Sequence, residues 1–227
     1  MLYESYNTFK SYSTPVVKEK HIRRFDAEIW RPGAYSSDMA VAELGCGTGL
    51  VLAYLHAKGV RAMVGVDQDP ALETVVPEAV RGNFRAVSIE AFLDEAEPMG
   101  PAYDRVILFD VLEHFDAEDG GRLLIRIGHI LKPGGRIHLK MPNAESPWGQ
   151  KFQYGDLTHR TAYTPQSCRQ LAIATGFECV STYPQPLGSP SRRLWSGLLH
   201  RFLTAILPTP PEIWDGNFYA VLERRRG

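Results

Sequence analysis

The chain has 227 residues, 44% of them hydrophobic, 11% aromatic and 22% charged, the composition of a globular protein rather than a disordered or fibrous one. At this length folding hides roughly 70–75% of the surface of the unfolded chain, enough for one large domain with its own core. Cys46, Cys168 and Cys179 are too few and too widely spaced for a disulfide framework or a zinc ribbon. Twenty-five basic against 26 acidic side chains leave a net charge of -1, so no global field recruits nucleic acid.

The opening MLYESYNTFKSYSTP is polar and aromatic, without the charged start and apolar stretch of a signal peptide, and no run of about 18 apolar residues follows. A cytoplasmic protein without a transmembrane segment is expected. Residues 1–38 read as an extension carrying Tyr3, Tyr6, Phe9 and Tyr12 and then a helix from about 18 to 30, an arrangement suited to a lid or cap. From residue 39 short apolar runs alternate with helical segments, the pattern of an α/β protein with a mostly parallel sheet. MAVAEL (39–44) is the first strand and VRAMVGVD (60–67) the second, with the helix LVLAYLHAKG between them. Asp69-Pro70 opens a short helix; FRAVS (84–88), YDRVILFD (103–110) and RIHLKMP (136–142) are the next three strands. A helix from Asp116 to Leu131 stops at LKPGG, and TPQSCRQLAIATG (164–176) carries its own cap, first-turn proline and terminal glycine. FECVSTYP and NFYAVLERR close the sheet. Between them, residues 183–216 form a proline-bounded helical insertion in the 39–227 domain.

Glu43-Leu-Gly-Cys-Gly-Thr-Gly49 lies between a strand and a helix, where glycines turn tightly and let the backbone approach a ligand. The glycines stand at 45, 47 and 49, whereas a dinucleotide fingerprint needs its third glycine at the position of Leu50. This spacing disfavours a nicotinamide oxidoreductase. Asp67, at the end of the second strand, is placed to hold two ribose hydroxyls.

ELGCGTG, VGVD and LKPGG, in this order and spacing, resemble the class I S-adenosylmethionine-dependent methyltransferases over about residues 39–182. The resemblance implies a Rossmann-like, seven-stranded, mostly parallel sheet with helices on both faces and an antiparallel last strand. It implies S-adenosylmethionine as cofactor, with Glu43, Gly45, Cys46, Gly47 and Gly49 around its methionine part, Asp67 and Gln68 at the ribose, and Phe109 lining the site. Ser88 stands where such families often carry an acid for adenine, which leaves that contact to Ser88 itself or to the Ile89 backbone.

Methyl transfer to a hydroxyl needs collinear nucleophile, methyl carbon and sulfur, and a base for the proton. The stretch from PNAESPWGQ through YGDLTH to YTP resembles a subgroup of these enzymes associated with glycan and secondary-metabolite modification. It implies His159 as general base, with Asp156 orienting it or binding a substrate hydroxyl. A plainer reading has Asp156 and Thr158 capping turns and His159 packing beside Tyr163. Glu113-His114, after the fourth strand, offers His114 as a supporting residue or a second candidate base. Asp110, Glu113 and Asp156 could contribute to a magnesium site, but no paired-carboxylate signature ends the fourth or fifth strand, so metal-independent chemistry is expected.

The expected reaction is methylation of a small acceptor, a sugar or glycan hydroxyl. The alternatives are a phenol or quinone oxygen, an amine, or a non-catalytic S-adenosylmethionine-binding regulatory partner. In the insertion, Leu194, Trp195, Leu198, Leu199, Phe202, Leu203, Ile206 and Leu207 share one helix face. That face suits a lid, a homodimer contact, a hydrophobic substrate or a membrane interface.

Overall fold

The computed structural model describes residues 12–225; Tyr3, Tyr6 and Phe9 lie outside them. One sheet holds β1 (Val41–Leu44), β2 (Met63–Asp67), β3 (Phe84–Ala86), β4 (Tyr103–Phe109), β5 (Leu131–Pro142), β6 (Phe177–Pro184) and β7 (Asn217–Arg224), in the order β3-β2-β1-β4-β5-β7-β6. The pairs β1–β2, β1–β4, β2–β3 and β4–β5 are parallel, and β7 runs antiparallel to both β5 and β6. The expected Rossmann-like sheet with an antiparallel last strand is therefore the fold.

β1 and the middle of β4 are buried without alternation, because helices cover both faces of a parallel sheet and leave no solvent side. On one face Leu44, Val106, Leu108, Leu139 and Phe218 pack with residues of α4 (Ile89–Ala96), α5 (Ala117–Ile130) and α7 (Pro165–Ala174). On the other, Val41, Met63 and Ile107 pack with Leu52, Tyr54 and Leu55 of α2 (Leu50–Ala57) and with Val80 of α3 (Glu78–Arg81). This second layer also takes in the N-terminal helix. α1 (Glu19–Phe25) runs into a π-helical turn, Asp26–Trp30, and Phe25 meets Tyr54 edge-on at 5.1 Å while Ile29 is fully buried. The helix expected as part of a cap thus packs on the second core through Phe25 and, in the turn that follows, Ile29.

β5 begins earlier than expected. Its register with β4 jumps from Tyr103–Leu131 to Arg105–Arg136, so LKPGG loops out of the ladder where Pro133 has no N–H to give and Gly134 takes a φ of +74°. α7 has the anticipated cap: Ser167 N donates to Thr164 Oγ1 at 3.1 Å and Thr164 N donates to Ser167 Oγ at 2.8 Å.

A buried polar network ties the N-terminal layer to the last strands. Fully buried His138 lies 3.3 Å from Tyr35 Oη through Nδ1 and 2.5 Å from Tyr183 Oη through Nε2. Tyr183 donates to the Glu28 carbonyl at 2.8 Å and Tyr219 to Glu28 Oε2 at 2.9 Å. α6 (Gln150–Tyr154) lies in the loop after β5, and α8 (Pro190–Ile206) fills the insertion with none of its residues buried.

Candidate active site

From β1 the chain builds β2 and β3 on one side, then returns to place β4 on the other. Such a reversal opens a crevice beyond the carboxyl ends of β1 and β4. A cavity of about 1100 Å³ occupies it, lined by Gly45 and Gly47 after β1, Asp67 and Gln68 at β2, Ile89 and Leu93 on α4, Phe109 at the end of β4, and Asp110, Val111 and His114 after it. Tyr12 also lines it.

The three glycines of the loop all have positive φ: +76° at Gly45, +50° at Gly47 and +74° at Gly49. A side chain at 45 would strike Val111 at 2.5 Å, whereas one at 47 would meet nothing within 4 Å. Gly47 N donates to Asp67 Oδ2 at 2.9 Å and Asp69 N to Oδ1 at 3.1 Å. Burial raises the Asp67 carboxyl, opposed by these backbone donors, and each oxygen keeps a lone pair for a ribose hydroxyl. Glu43 is buried beneath the loop; burial and the Asp67 charge push it well above the carboxylate range. Its Oε2 has no partner among the described residues.

Not every expected residue reaches the cavity. Cys46 turns into the second core, where burial pushes its thiol up, and Gly49 serves as the left-handed cap of α2. Ser88 is spent on capping α4, its Oγ accepting from Ala91 N at 3.1 Å, while Ile89 lines the wall. Asp110, weighed from the sequence for magnesium, lines the cavity beside Phe109. It has φ +55° and pairs with Lys140, and a positive φ at a non-glycine residue on a cavity wall was not foreshadowed by any motif.

The β4 loop and the GDLTH loop are joined by backbone: the Glu113 carbonyl accepts from Arg160 N at 2.8 Å and Thr161 N at 3.1 Å. This brings His114, His159 and Asp156 together, and the contact of Asp156 with Thr158 is the turn cap of the plainer expectation. Asp156 does not hydrogen-bond His159, whose Nε2 is 4.0 Å away. Instead Asp156 Oδ1 accepts from Thr158 N at 2.9 Å and Thr158 Oγ1 at 2.6 Å, and Thr158 Oγ1 lies 2.9 Å from His114 Nδ1. Because that hydroxyl donates to the carboxylate, it accepts from His114 Nδ1. Burial pushes Asp156 up, but the Thr158 hydrogen bonds and the imidazoles outweigh it and hold the carboxyl below its usual range.

His159 stands behind His114, away from the cavity wall, its Nδ1 donating to the Gln153 carbonyl at 2.9 Å. Glu113 is fully buried, its Oε1 4.0 Å from His159 Nε2, and burial together with the Asp110 and Asp156 charges pushes it up to about 8. Glu113, His114 and His159 each bring one ligand-type atom within 4.8 Å of the others. Of the carboxylates weighed for magnesium, Asp110 is engaged by Lys140 and Asp156 by Thr158.

These residues fit S-adenosylmethionine: the open space at Gly47 would admit its amino-acid part, the Asp67 oxygens would accept from its ribose, and Ile89, Leu93 and Phe109 would flank a flat base. The fold and this crevice define a class, the Rossmann-like methyltransferases. A methyltransferase domain family model matches residues 18–182, and the chain belongs to that family. No curated protein matches the chain by sequence. Among solved structures it is similar to a SAM-dependent methyltransferase from Archaeoglobus fulgidus, with TM-score 0.66 and 19% identity over 91% of this chain and 94% of that one. It is also similar to a Burkholderia thailandensis 1,6-didemethyltoxoflavin-N1-methyltransferase bound to S-adenosylhomocysteine, with TM-score 0.59 and 16% identity over 99% of this chain and 84% of that one. The mitomycin 7-O-methyltransferase MmcR gives TM-score 0.58 and 15% identity over 90% of this chain and 55% of that one.

Proposed function

We propose that the protein transfers a methyl group from S-adenosylmethionine to a hydroxyl of a small acceptor, a sugar or glycan, with His114 receiving the proton. The observation that carries this reading is the relay of Asp156, Thr158 and His114, which ends on the cavity wall. When bound, the cofactor supplies a methyl carbon on a sulfonium, open to in-line displacement. Gly45, Gly47 and Asp67 hold it, and Asp156, through Thr158, orients the His114 ring, which receives the hydroxyl proton as the new C–O bond forms and the C–S bond of the sulfonium breaks. His159 is a positioning residue that backs the His114 ring. Asp119, Arg122 and Arg160 at the cavity rim add hydrogen-bonding groups suited to a hydroxyl-rich acceptor. The GDLTH pattern supports the same choice.

The test is mass-spectrometric screening of nucleotide sugars, lipid-linked glycans, phenols and amines for a gained methyl group, with the native protein and with His114→Ala. Methylation of a sugar hydroxyl that His114→Ala abolishes supports the reading. Methylation confined to amines or phenols, with His114→Ala fully active, overturns it, because those nucleophiles need little help from a base.

A further inference from the structure

Helix α8 is turned inside out. Two of its polar residues meet the body of the protein: Trp148 Nε1 donates to His200 Nε2 at 3.0 Å, Trp214 Nε1 donates to Thr204 Oγ1 at 2.9 Å, and the His200 ring stacks on Trp214 with centroids 5.1 Å apart. Its apolar residues point away, with Leu194 64%, Trp195 71%, Phe202 61% and Ile206 57% exposed. A helix packed as a core layer shows the opposite arrangement. A contiguous apolar strip of this kind marks an interaction surface.

Charge indicates what covers it. No Asp or Glu occurs between Glu178 and Glu212, while Arg192, Arg193 and Arg201 lie on the helix. The charge of Arg193 reaches Glu28 beside α1, and exposed Lys18, Lys20, Arg23 and Arg24 extend the basic surface there. The nearest acids on the following segment are already committed, Glu212 to Arg169 and half-buried Asp215 to the neighbourhood of His200. A second copy pressed on this face would gather the arginines of both helices with no acid from either to pair them. No helix of the described residues is long and apolar enough to cross a membrane.

We propose that α8 docks the protein on an anionic lipid bilayer, lying in the plane of the surface with Leu194, Trp195, Phe202 and Ile206 at the acyl boundary. Arg192, Arg193 and Arg201 reach the lipid phosphates. The test is flotation of the full chain with vesicles of phosphatidylcholine alone and of phosphatidylcholine mixed with phosphatidylglycerol. The chain is expected to float with the mixed vesicles, less at high salt, and binding should fall by at least about tenfold in Trp195→Ser/Phe202→Ser and in Arg192→Gln/Arg193→Gln/Arg201→Gln. Both variants change exposed side chains and should keep native affinity for S-adenosylhomocysteine, which verifies folding. Absence of flotation, or equal flotation with neutral vesicles, overturns the proposal. So does a concentration-dependent dimer, measured by sedimentation, that Trp195→Ser/Phe202→Ser dissociates.

Discussion

The His114 ring stands edge-on to the His159 ring, with centroids 4.7 Å apart and planes at 79°. Only the first of the two lines the cavity, so their substitutions should separate. His114→Ala is expected to lower kcat on a hydroxyl acceptor by about 10²–10⁴-fold with cofactor affinity little changed. For His159, the readout is rescue: Gln can still donate to the Gln153 carbonyl, so His159→Gln should recover much of the activity that His159→Ala loses. Steady-state kinetics and calorimetry on the four proteins check both points; a larger kcat loss in His159→Gln than in His114→Ala would reverse the two roles.

Gly45 and Gly47 have similar backbone conformations and different surroundings. Gly45→Ala drives a methyl into Val111 at 2.5 Å as well as straining a φ of +76°, so it should lower the melting temperature clearly. Gly47→Ala meets nothing within 4 Å and carries only the left-handed backbone cost of about 1–2 kcal/mol. In the proposed reading its methyl group enters the space of the cofactor, so the larger effect should be lost S-adenosylmethionine affinity. Thermal melts beside calorimetry distinguish the two.

Asp67→Asn keeps one carbonyl oxygen and loses the charge that the backbone donors of Gly47 and Asp69 share and that, in the proposed reading, the ribose hydroxyls would share too. Cofactor affinity should fall about 10- to 100-fold, as expected for hydrogen bonds to a charged group. Unchanged affinity in calorimetry would remove Asp67 from the ribose site.

Two buried groups predict how stability varies with pH. Glu113, pushed up to about 8, holds its proton in the folded protein where the unfolded chain has lost it above 4.5. The stability it contributes is complete below 4.5 and is lost as pH rises through 8. His138 has the opposite sign: burial, with Arg105, lowers it to about 3 against an ordinary 6.5, so its contribution is complete above 6.5 and lost as pH falls through 3. Melting temperatures should therefore decline on both sides. Glu113→Gln should flatten the alkaline decline up to about pH 8, and the His138 ring should show no NMR titration above about pH 4. An unaltered alkaline limb in Glu113→Gln would refute the first assignment, and a titration near 6.5 the second.

The lining of the crevice at the ends of the first two strands was legible because it is local in sequence. A glycine loop after a strand and an acid at the end of the next strand carry their geometry with them, and Gly45, Gly47 and Asp67 line the cavity as the spacing implied. The acceptor half depends on contacts across the fold. The pairing of Thr158 with His114 spans 44 positions, and nothing in GDLTH indicates that its threonine, rather than its histidine, is what Asp156 holds. Ser88 shows a related limit, since a serine before a helix satisfies the first-turn N–H as readily as it could meet a ligand. For α8 the apolar periodicity was plain. Periodicity reports that a stripe exists, however, and is the same whether the stripe faces the core or solvent.

The position of β7 bears on how the chain assembles during synthesis. Among the described residues β6 has no neighbour in the sheet except β7, and Phe218 through Leu222 supply fully or almost fully buried side chains between β5 and β6. A growing chain can therefore complete the β3-β2-β1-β4 half, with its cofactor crevice, long before β6 has anywhere to dock. The apolar edge of β5 stays open until the seventh strand emerges, which makes that interval the one in which the nascent protein most needs protection from aggregation.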